Sequence, residues 1–214
     1  MESIATLLQG VRVVPVVILD DAAAAPALAA ALRSGGLPVA EVTFRTAAAE
    51  SAIRAMAEDP DMLVGAGTVT RPAQVDRALE CGAKFIVSPA FSADVVRTCL
   101  DRGVPVLPGV ATPSEIQWAL EVGLDTVKFF PAETLGGVAA LKAMSAPFPD
   151  MRFVPTGGVG PQNLRSYLAL PSVIAVGGTW LVDRATLARH DFDEITQLTA
   201  EAVRLSTDVV TPTV

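Results

Sequence analysis

The sequence predicts a single-domain α/β protein, a (β/α)8 or TIM barrel with a short N-terminal helix. Short β-rich segments alternate with alanine-rich amphipathic segments along the whole chain, and eight such pairs fit into about 200 residues. The strand segments are continuous runs of Val, Ile and Leu, which is typical of strands buried on both faces. An open, doubly wound sheet is the alternative. The even repeat and the lack of a G-x-G-x-x-G sequence after the first strand favour the barrel.

The elements follow from this alternation and from the residues that punctuate it. A short amphipathic helix is expected near residues 2–8. The eight strands are predicted over residues 12–19, 38–43, 62–66, 84–87, 105–107, 125–129, 152–154 and 172–176. The helices are predicted over residues 22–34, 47–58, 72–80, 92–101, 113–121, 137–144, 161–169 and 193–205. We expect one domain over residues 1–206, followed by a loose tail over residues 207–214.

Prolines and glycines mark the helix ends. Proline suits the first turn of a helix because it lacks the N–H group that would have no partner there, and glycine suits the end because it tolerates positive φ. The last helix has two candidate N-caps, Asp191 and Asp193. First-turn prolines are Pro72, Pro113 and Pro161, and terminating glycines are Gly36, Gly82, Gly103 and Gly123.

Composition excludes several classes of function. The chain has 214 residues, of which 51% are hydrophobic, and its net charge is −7. That charge, without any Lys/Arg cluster, argues against nucleic-acid binding. No apolar run reaches the roughly 18 residues that a membrane span requires, and the N-terminus lacks a basic region typical of secretion signals. We therefore expect no membrane partner and a soluble cytoplasmic protein, although an acidic chain can still bind an anionic metabolite through a local site.

The cysteines and the histidine argue against metal and redox chemistry. Cys81 and Cys99 do not form a C-x-x-C pair and are interpreted as reduced residues of the core or of a helix face. His190 is the single histidine and is interpreted as a solvated surface residue. A transition-metal site is therefore not expected. Carbonyl chemistry in this chain would depend on an amine, with no cofactor.

Lys128 is the most informative side chain. The chain has three lysines; Lys84 opens the fourth predicted strand and Lys142 lies on a helix, whereas Lys128 ends the sixth strand. Barrel active sites lie at the C-terminal ends of the strands. Burial among apolar and aromatic neighbours disfavours a charged ammonium. A neutral amine can attack a ketone and form a Schiff base. The alternative is a strand-end lysine whose amine extends into water.

The second predicted strand carries a glutamate at an interior position. Val39, Glu41, Thr43 and Arg45 share one face of that strand. A barrel interior should not contain an unpaired carboxylate, because burying its charge is costly. We interpret Glu41 as a proton shuttle beside the reactive amine, and Arg45 as a bidentate clamp for a substrate carboxylate. The alternative is an ion pair, Glu41–Arg45 or Glu41–Lys128, that only fills the barrel.

Glycine-rich segments follow several strands. Residues 65–68 (GAGT) offer close approach to the backbone and the Thr68 hydroxyl, although glycine at a strand end is often only a bend. Glycine pairs at residues 157–158 and 177–178 follow the seventh and eighth strands, where barrels commonly bind phosphate through backbone N–H groups and a helix N-terminus. Ser88 and Pro108 are interpreted as ordinary turn residues.

Six segments together match a known family. They are residues 14–17 (VPVV), 41–46 (EVTFRT), 65–69 (GAGTV), 128–133 (KFFPAE), 155–158 (PTGG) and 177–180 (GGTW). On these segments the chain resembles the 2-keto-3-deoxy-6-phosphogluconate (KDPG) aldolases, which also often act as 4-hydroxy-2-oxoglutarate (KHG) aldolases. The resemblance covers nearly the whole chain.

The resemblance implies a class I aldolase that cleaves KDPG to pyruvate and glyceraldehyde 3-phosphate, the aldol cleavage of the Entner–Doudoroff route, and KHG to pyruvate and glyoxylate. It also implies a homotrimer of (β/α)8 barrels and no cofactor. Lys128 corresponds to the Schiff-base lysine and Glu41 to the general acid/base. The substrate-binding residues that it implies are Arg45 and Thr68 for the pyruvate carboxylate, Pro89, Phe130 and Thr156 for the pocket wall, and Gly157, Gly158, Gly178 and Thr179 for the phosphate end.

Three positions depart from the family's usual residues. Thr179 stands where many relatives have serine, Phe44 where leucine is common, and Ala90 where glycine is common. Two alternative functions stay open. The first is an aldolase mainly for an unphosphorylated or C4-epimeric 2-keto-3-deoxy acid. The second is a non-catalytic barrel that binds a phosphorylated metabolite.

Overall fold

Strands and helices alternate along the chain, as the sequence predicts. The structure is a computed structural model that describes residues 3–207. Its strands are β1 (Val13–Val17), β2 (Val39–Thr43), β3 (Leu63–Gly67), β4 (Phe85–Val87), β5 (Val106–Leu107), β6 (Gly109–Val110), β7 (Thr126–Phe129), β8 (Arg152–Phe153) and β9 (Val176–Gly178). Its helices are α1 (Ile4–Leu7), α2 (Ala25–Ser34), α3 (Ala49–Ala57), α4 (Pro72–Glu80), α5 (Ala93–Arg102), α6 (Pro113–Glu121), α7 (Gly137–Ser145), α8 (Leu164–Leu168), α9 (Arg184–Ala188) and α10 (Phe192–Thr207).

The strands form two parallel sheets that curl into a half-barrel. One sheet has the order β5-β4-β3-β2-β1-β9 and the other the order β6-β7-β8. The predicted closed barrel is not reproduced as one continuous sheet. Pro108 separates β5 from β6, because proline has no N–H group to donate to a strand ladder. Two isolated bridges, Phe153–Val173 and Thr156–Gly177, connect the β8 side to β9 and the segment that leads into it.

The eighth predicted strand is displaced toward the C-terminus. The prediction covered residues 172–176 and placed the glycine pair in the loop that follows, whereas β9 contains both glycines. Gly177 pairs with Val14 of β1, and Gly178 pairs with Pro15. A Cβ at Gly177 would overlap the Thr156 hydroxyl and one at Gly178 would overlap the Trp180 ring, so these two side chains require glycine in the strand itself.

Helices α8 and α9 differ from the prediction, and one of the two predicted N-caps of the last helix is confirmed. The predicted helix over residues 161–169 shortens to α8, because residues 161–163 form a turn that Asn163 stabilises by accepting a hydrogen bond from the Gly160 amide at 2.9 Å. Helix α9 was missed, although Asp183 caps it by accepting hydrogen bonds from the amides of Ala185 and Thr186. Asp191 is the N-terminal cap of α10, since it accepts a hydrogen bond from the Glu194 amide at 3.1 Å.

The two chain ends agree in part with the prediction. The N-terminal helix is α1, shorter than predicted and capped by Ser3, whose hydroxyl accepts a hydrogen bond from the Thr6 amide. Thr207, the first residue of the predicted tail, is the last residue of α10. The remainder of that tail, residues 208–214, lies outside the described residues, as do residues 1–2.

The core fills the space between the sheets and the surrounding helices. Both cysteines are free and buried in it, which agrees with their interpretation as core residues. Burial raises the pKa of the Cys99 thiol to about 12, so this thiol stays protonated at neutral pH. His190 is exposed, as predicted. Within residues 3–207, no helix has the length and apolar character needed to cross a bilayer.

Candidate active site

Lys128 and Glu41 meet inside the half-barrel. Lys128 Nζ lies 3.1 Å from Glu41 Oε1 and 3.3 Å from Oε2, and the two side chains are only 6% and 4% exposed. Strands β7 and β2 belong to different sheets, so this contact crosses the interior instead of following a strand pair. The ring of Phe130 lies 5.4 Å from Nζ and covers one side of the amine. Desolvating a buried ion pair can cost more free energy than the attraction between its charges returns. A role in stability alone is therefore a weak explanation for this pair.

Strand alternation explains why Glu41 points inward. Residues 41 and 43 lie two apart on β2 and face the same way. The Thr43 hydroxyl also points inward and donates a hydrogen bond to the Val17 carbonyl at 2.8 Å, which anchors β2 to β1 above the glutamate. Of the two ion pairs that the sequence left open for Glu41, the structure contains the one with Lys128.

A pocket opens above the pair at the C-terminal ends of the strands. Its volume is about 130 Å³, against roughly 10–15 Å³ for one water molecule, so it accommodates a small organic ligand. All eleven site residues that the sequence predicts line this pocket. They are Glu41, Arg45, Thr68, Pro89, Lys128, Phe130, Thr156, Gly157, Gly158, Gly178 and Thr179.

Three further residues line the pocket, namely Val16, Thr43 and Val159. A signal for two of them was present in the sequence. Thr43 shares the face of Glu41, and Val16 belongs to the first of the six matching segments. Val159 had no such signal, because it follows the glycine pair in a segment without periodicity.

Arg45 and Thr68 follow the C-terminal ends of two neighbouring parallel strands, β2 and β3. Arg45 is exposed and, within residues 3–207, its guanidinium has no ion-pair partner, so it is available to an anion. Thr68 follows β3 with φ 57°, in the left-handed region that non-glycine residues seldom adopt. Strain of this kind is concentrated at functional sites.

The loop after β8 supplies another wall of the pocket. Gly157 and Gly158 have φ values of 99° and 79°, which only glycine adopts readily. No helix begins directly after them, since α8 starts at Leu164, so the predicted helix N-terminus is absent beside this loop. Backbone N–H groups are the donors that the loop itself can offer to an anion.

The other positions singled out in the sequence do not line this pocket. Lys84 and Lys142 are exposed, on β4's N-terminal side and on α7. Phe44 and Ala90 are not among the lining residues; Phe44 instead packs beneath the Arg77 guanidinium at 5.8 Å. The Ser88 hydroxyl donates a hydrogen bond to the Ala90 carbonyl at 2.8 Å, which is ordinary turn geometry.

Comparisons with known proteins agree on one family. The family described as "KDPG and KHG aldolase" matches residues 4–198. The chain is 46% identical over 206 residues to a 2-dehydro-3-deoxy-phosphogluconate aldolase of Treponema pallidum, covering 96% of this chain and 98% of that protein. It is 46% identical over 192 residues to the KHG/KDPG aldolase of Escherichia coli K12, covering 89% and 90%.

Two solved structures are similar over nearly their whole length. One is the KDPG aldolase of Zymomonas mobilis ZM4 with 3-phosphoglycerate, at 42% identity and a TM-score of 0.87, covering 94% of this chain and 92% of that one. The other is the KDPG aldolase of Legionella pneumophila with pyruvate captured as a covalent carbinolamine, at 38% identity and a TM-score of 0.90, covering 92% and 97%. The chain described here therefore belongs to the KDPG and KHG aldolase family.

Proposed function

We propose that this chain is a class I aldolase that cleaves KDPG to pyruvate and glyceraldehyde 3-phosphate, and KHG to pyruvate and glyoxylate. The observation that carries the proposal is the buried amine of Lys128 in contact with the Glu41 carboxylate beneath an open pocket. The covalent pyruvate carbinolamine in the Legionella pneumophila relative supports the same chemistry here.

Lys128 is the proposed nucleophile. In its neutral form, Nζ attacks the C2 ketone of the aldol and forms a carbinolamine, which loses water to give an iminium ion. The Glu41 carboxylate, 3.1 Å away, accepts the proton that the amine gives up and returns it to the carbinolamine hydroxyl, which leaves as water, so that Glu41 is a carboxylate again. The iminium ion then withdraws electrons from C3 and stabilises the negative charge that develops there.

Glu41 is the proposed proton shuttle. It removes the proton of the C4 hydroxyl through a water molecule, the C3–C4 bond breaks, and its electron pair forms the enamine. Glyceraldehyde 3-phosphate leaves as the aldehyde. Protonation of the enamine at C3 restores the iminium ion, and water hydrolyses it to pyruvate and free Lys128.

The remaining lining residues are proposed to position the aldol. Arg45 is proposed to hold the carboxylate end, together with the Thr68 hydroxyl. The phosphate end is assigned to the Gly157–Gly158 loop, Gly178 and Thr179, and the walls to Pro89, Phe130 and Thr156. Arg45 and Lys128 are the only cationic side chains that line the described pocket. The phosphate would therefore depend on backbone N–H groups and a hydroxyl.

That lack of a cation at the phosphate end favours a second candidate, an aldolase mainly for an unphosphorylated 2-keto-3-deoxy acid; no feature of the described pocket favours the C4-epimeric acid, the other alternative. The ratio of kcat/KM for KDPG to kcat/KM for KHG separates the two, and the C4-epimeric phosphorylated aldol tests the epimer. A non-catalytic phosphometabolite-binding barrel has less support, because it leaves the buried Glu41–Lys128 pair without a use.

We further propose that residues 1–206 form one closed (β/α)8 domain that assembles as a homotrimer in the cytoplasm. Two observations support closure. The Thr156–Gly177 bridge joins the β8 side to β9, and the interruption between β5 and β6 is only one residue long, Pro108. Trp118 and Val122, on and just after α6, are 49% and 42% exposed, and such apolar surface supports association. The free cysteines are consistent with a reducing compartment. Sedimentation equilibrium would measure the subunit number.

The test of the catalytic proposal is chemical trapping. The protein is incubated with pyruvate and borohydride, and the modified peptide is located by mass spectrometry. A reduced pyruvyl adduct on Lys128, and none on Lys84 or Lys142, is expected. A folded protein without an adduct would overturn the proposal, and a Lys128→Met variant provides the matched negative control.

A further inference from the structure

The turn that follows β7 lies directly against the loop that follows β8. Two backbone hydrogen bonds join them: the Ala132 amide donates to the Thr156 carbonyl at 2.8 Å, and the Glu133 amide donates to the Gly157 carbonyl at 3.0 Å. The first segment continues from Lys128, and the second lines the pocket. The position of the glycine loop is therefore tied to the strand that carries the amine.

The side chain of Glu133 fills the space beside Gly158. A Cβ added to Gly158 would lie 2.6 Å from Glu133 Cγ and 2.7 Å from Glu133 Cβ, which is closer than such atoms approach. Gly158 thus rests on the methylene groups of Glu133, and the loop can shift toward them only if that side chain moves.

Tyr167 fixes the other end of the Glu133 side chain. This tyrosine lies on α8, is fully buried, and donates its hydroxyl to Glu133 Oε1 at 2.5 Å. Glu133 itself is exposed, so an unheld side chain would sample several rotamers. Burial, and then the bond to the carboxylate, raise the pKa of Tyr167, so its hydroxyl remains a donor at neutral and mildly alkaline pH.

We propose that Glu133 and Tyr167 are positioning residues that hold the Gly157–Gly158 loop in the shape required by the phosphorylated end of the aldol. This inference rests on the proposed function. A charge-assisted bond from a buried hydroxyl gives an exposed carboxylate one fixed orientation. Without it, the side chain under Gly158 would move, and its negative charge could turn toward a bound phosphate.

The test compares two substrates in two variants that remove the contact and in a third, conservative variant. Tyr167→Phe removes only the hydroxyl, and Glu133→Ala removes the support under Gly158 from an exposed position. For each variant we expect KM for KDPG to rise about tenfold, the size of effect typical for loss of a hydrogen bond to a charged group. The values of kcat for KDPG and of kcat/KM for unphosphorylated KHG should change less than threefold. Glu133→Gln keeps an acceptor for Tyr167 and should restore part of the KM.

Controls separate this inference from a structural effect and from the proposed function itself. Glu80→Gln, an exposed glutamate on α4, should leave both substrates unaffected. Pyruvate–borohydride labelling of Lys128 should match the wild type in every variant; absence of labelling in the wild type would contradict the proposed function instead. Equal losses for KDPG and KHG, or an unchanged KM for KDPG in folded Glu133→Ala, would overturn the positioning role.

Discussion

The side chain of Glu41 occupies the space that a side chain at position 67 would need. A Cβ added to Gly67 would lie 2.6 Å from Glu41 Cγ and would overlap Glu41 Oε1. The two residues belong to neighbouring parallel strands, with Glu41 opposite Gly65 and Thr43 opposite Gly67. The φ angle of Gly67 is not in the left-handed region, so its backbone would tolerate a side chain. Glycine is therefore required at position 67 by the carboxylate beside it.

Gly67→Ala should displace the carboxylate and impair proton transfer. We expect kcat for KDPG to fall about 100-fold, at the lower end of the usual contribution of general acid–base catalysis. Gly67→Ala combined with Glu41→Asp shortens the displaced side chain and should recover part of the loss. A kcat within twofold of the wild type in folded Gly67→Ala would contradict the steric argument.

Glu41→Gln should separate the two chemical stages. The amide keeps the shape of the side chain and cannot accept the C4 hydroxyl proton, so kcat should fall by at least about 100-fold. Imine formation, measured as the rate of borohydride trapping with pyruvate, should fall much less. Near-normal turnover would exclude the shuttle role and would leave the Schiff base intact.

Arg45→Ala should weaken binding more than chemistry. Its guanidinium has no ion-pair partner within residues 3–207, so removing it leaves no buried charge behind. We expect KM for KDPG and for KHG, which both carry the carboxylate, to rise about tenfold with a smaller change in kcat. This is the pattern of a lost ground-state contact. Arg97→Ala, on the exposed face of α5, is the matched control. An unchanged KM would count against the carboxylate clamp.

Thr68→Gly should lower kcat/KM and relieve backbone strain at position 68. At φ 57° a threonine is strained, and the relief offered by glycine offsets the greater freedom of glycine in the unfolded chain. We expect the free energy of unfolding, measured with urea, to stay within about 1 kcal/mol of the wild type. The value of kcat/KM should fall about tenfold because a hydroxyl is lost from the pocket. Thr68→Ser should keep the activity because it keeps the hydroxyl. A marked fall in the free energy of unfolding of Thr68→Gly would contradict the claim that Thr68 is strained.

The sequence predicts what depends on local periodicity. Strand alternation placed Glu41 inward, and the order of strands placed Lys128 at the mouth of the fold. The same reasoning misread Gly67, which was interpreted as a place for ligand approach, because strand register is needed to see that the adjacent strand's carboxylate occupies that space. The Glu133–Tyr167 contact joins residues 34 positions apart and has no periodic signal.

Helix α9, which the sequence analysis missed, offers a test of the acid sensitivity of the fold. The Thr186 hydroxyl and backbone amide, followed by the Ala185 amide, hold the pKa of Asp183 below its ordinary value. A lowered folded-state pKa adds stability above the unfolded pKa of about 3.9, and this contribution is lost as pH falls through the folded pKa. Asp183→Ala should therefore cost about 1 kcal/mol in free energy of unfolding at pH 7, a typical value for an N-cap.

The difference between Asp183→Ala and the wild type should stay constant from pH 7 to about pH 5 and shrink at lower pH, where the aspartate becomes protonated in both states. Urea unfolding at a series of pH values measures it. Asp150→Ala, which removes an exposed carboxylate outside the helices, should show little effect at either pH. A difference that grows on acidification would show that the charge of Asp183 opposes the folded state, contrary to its cap geometry.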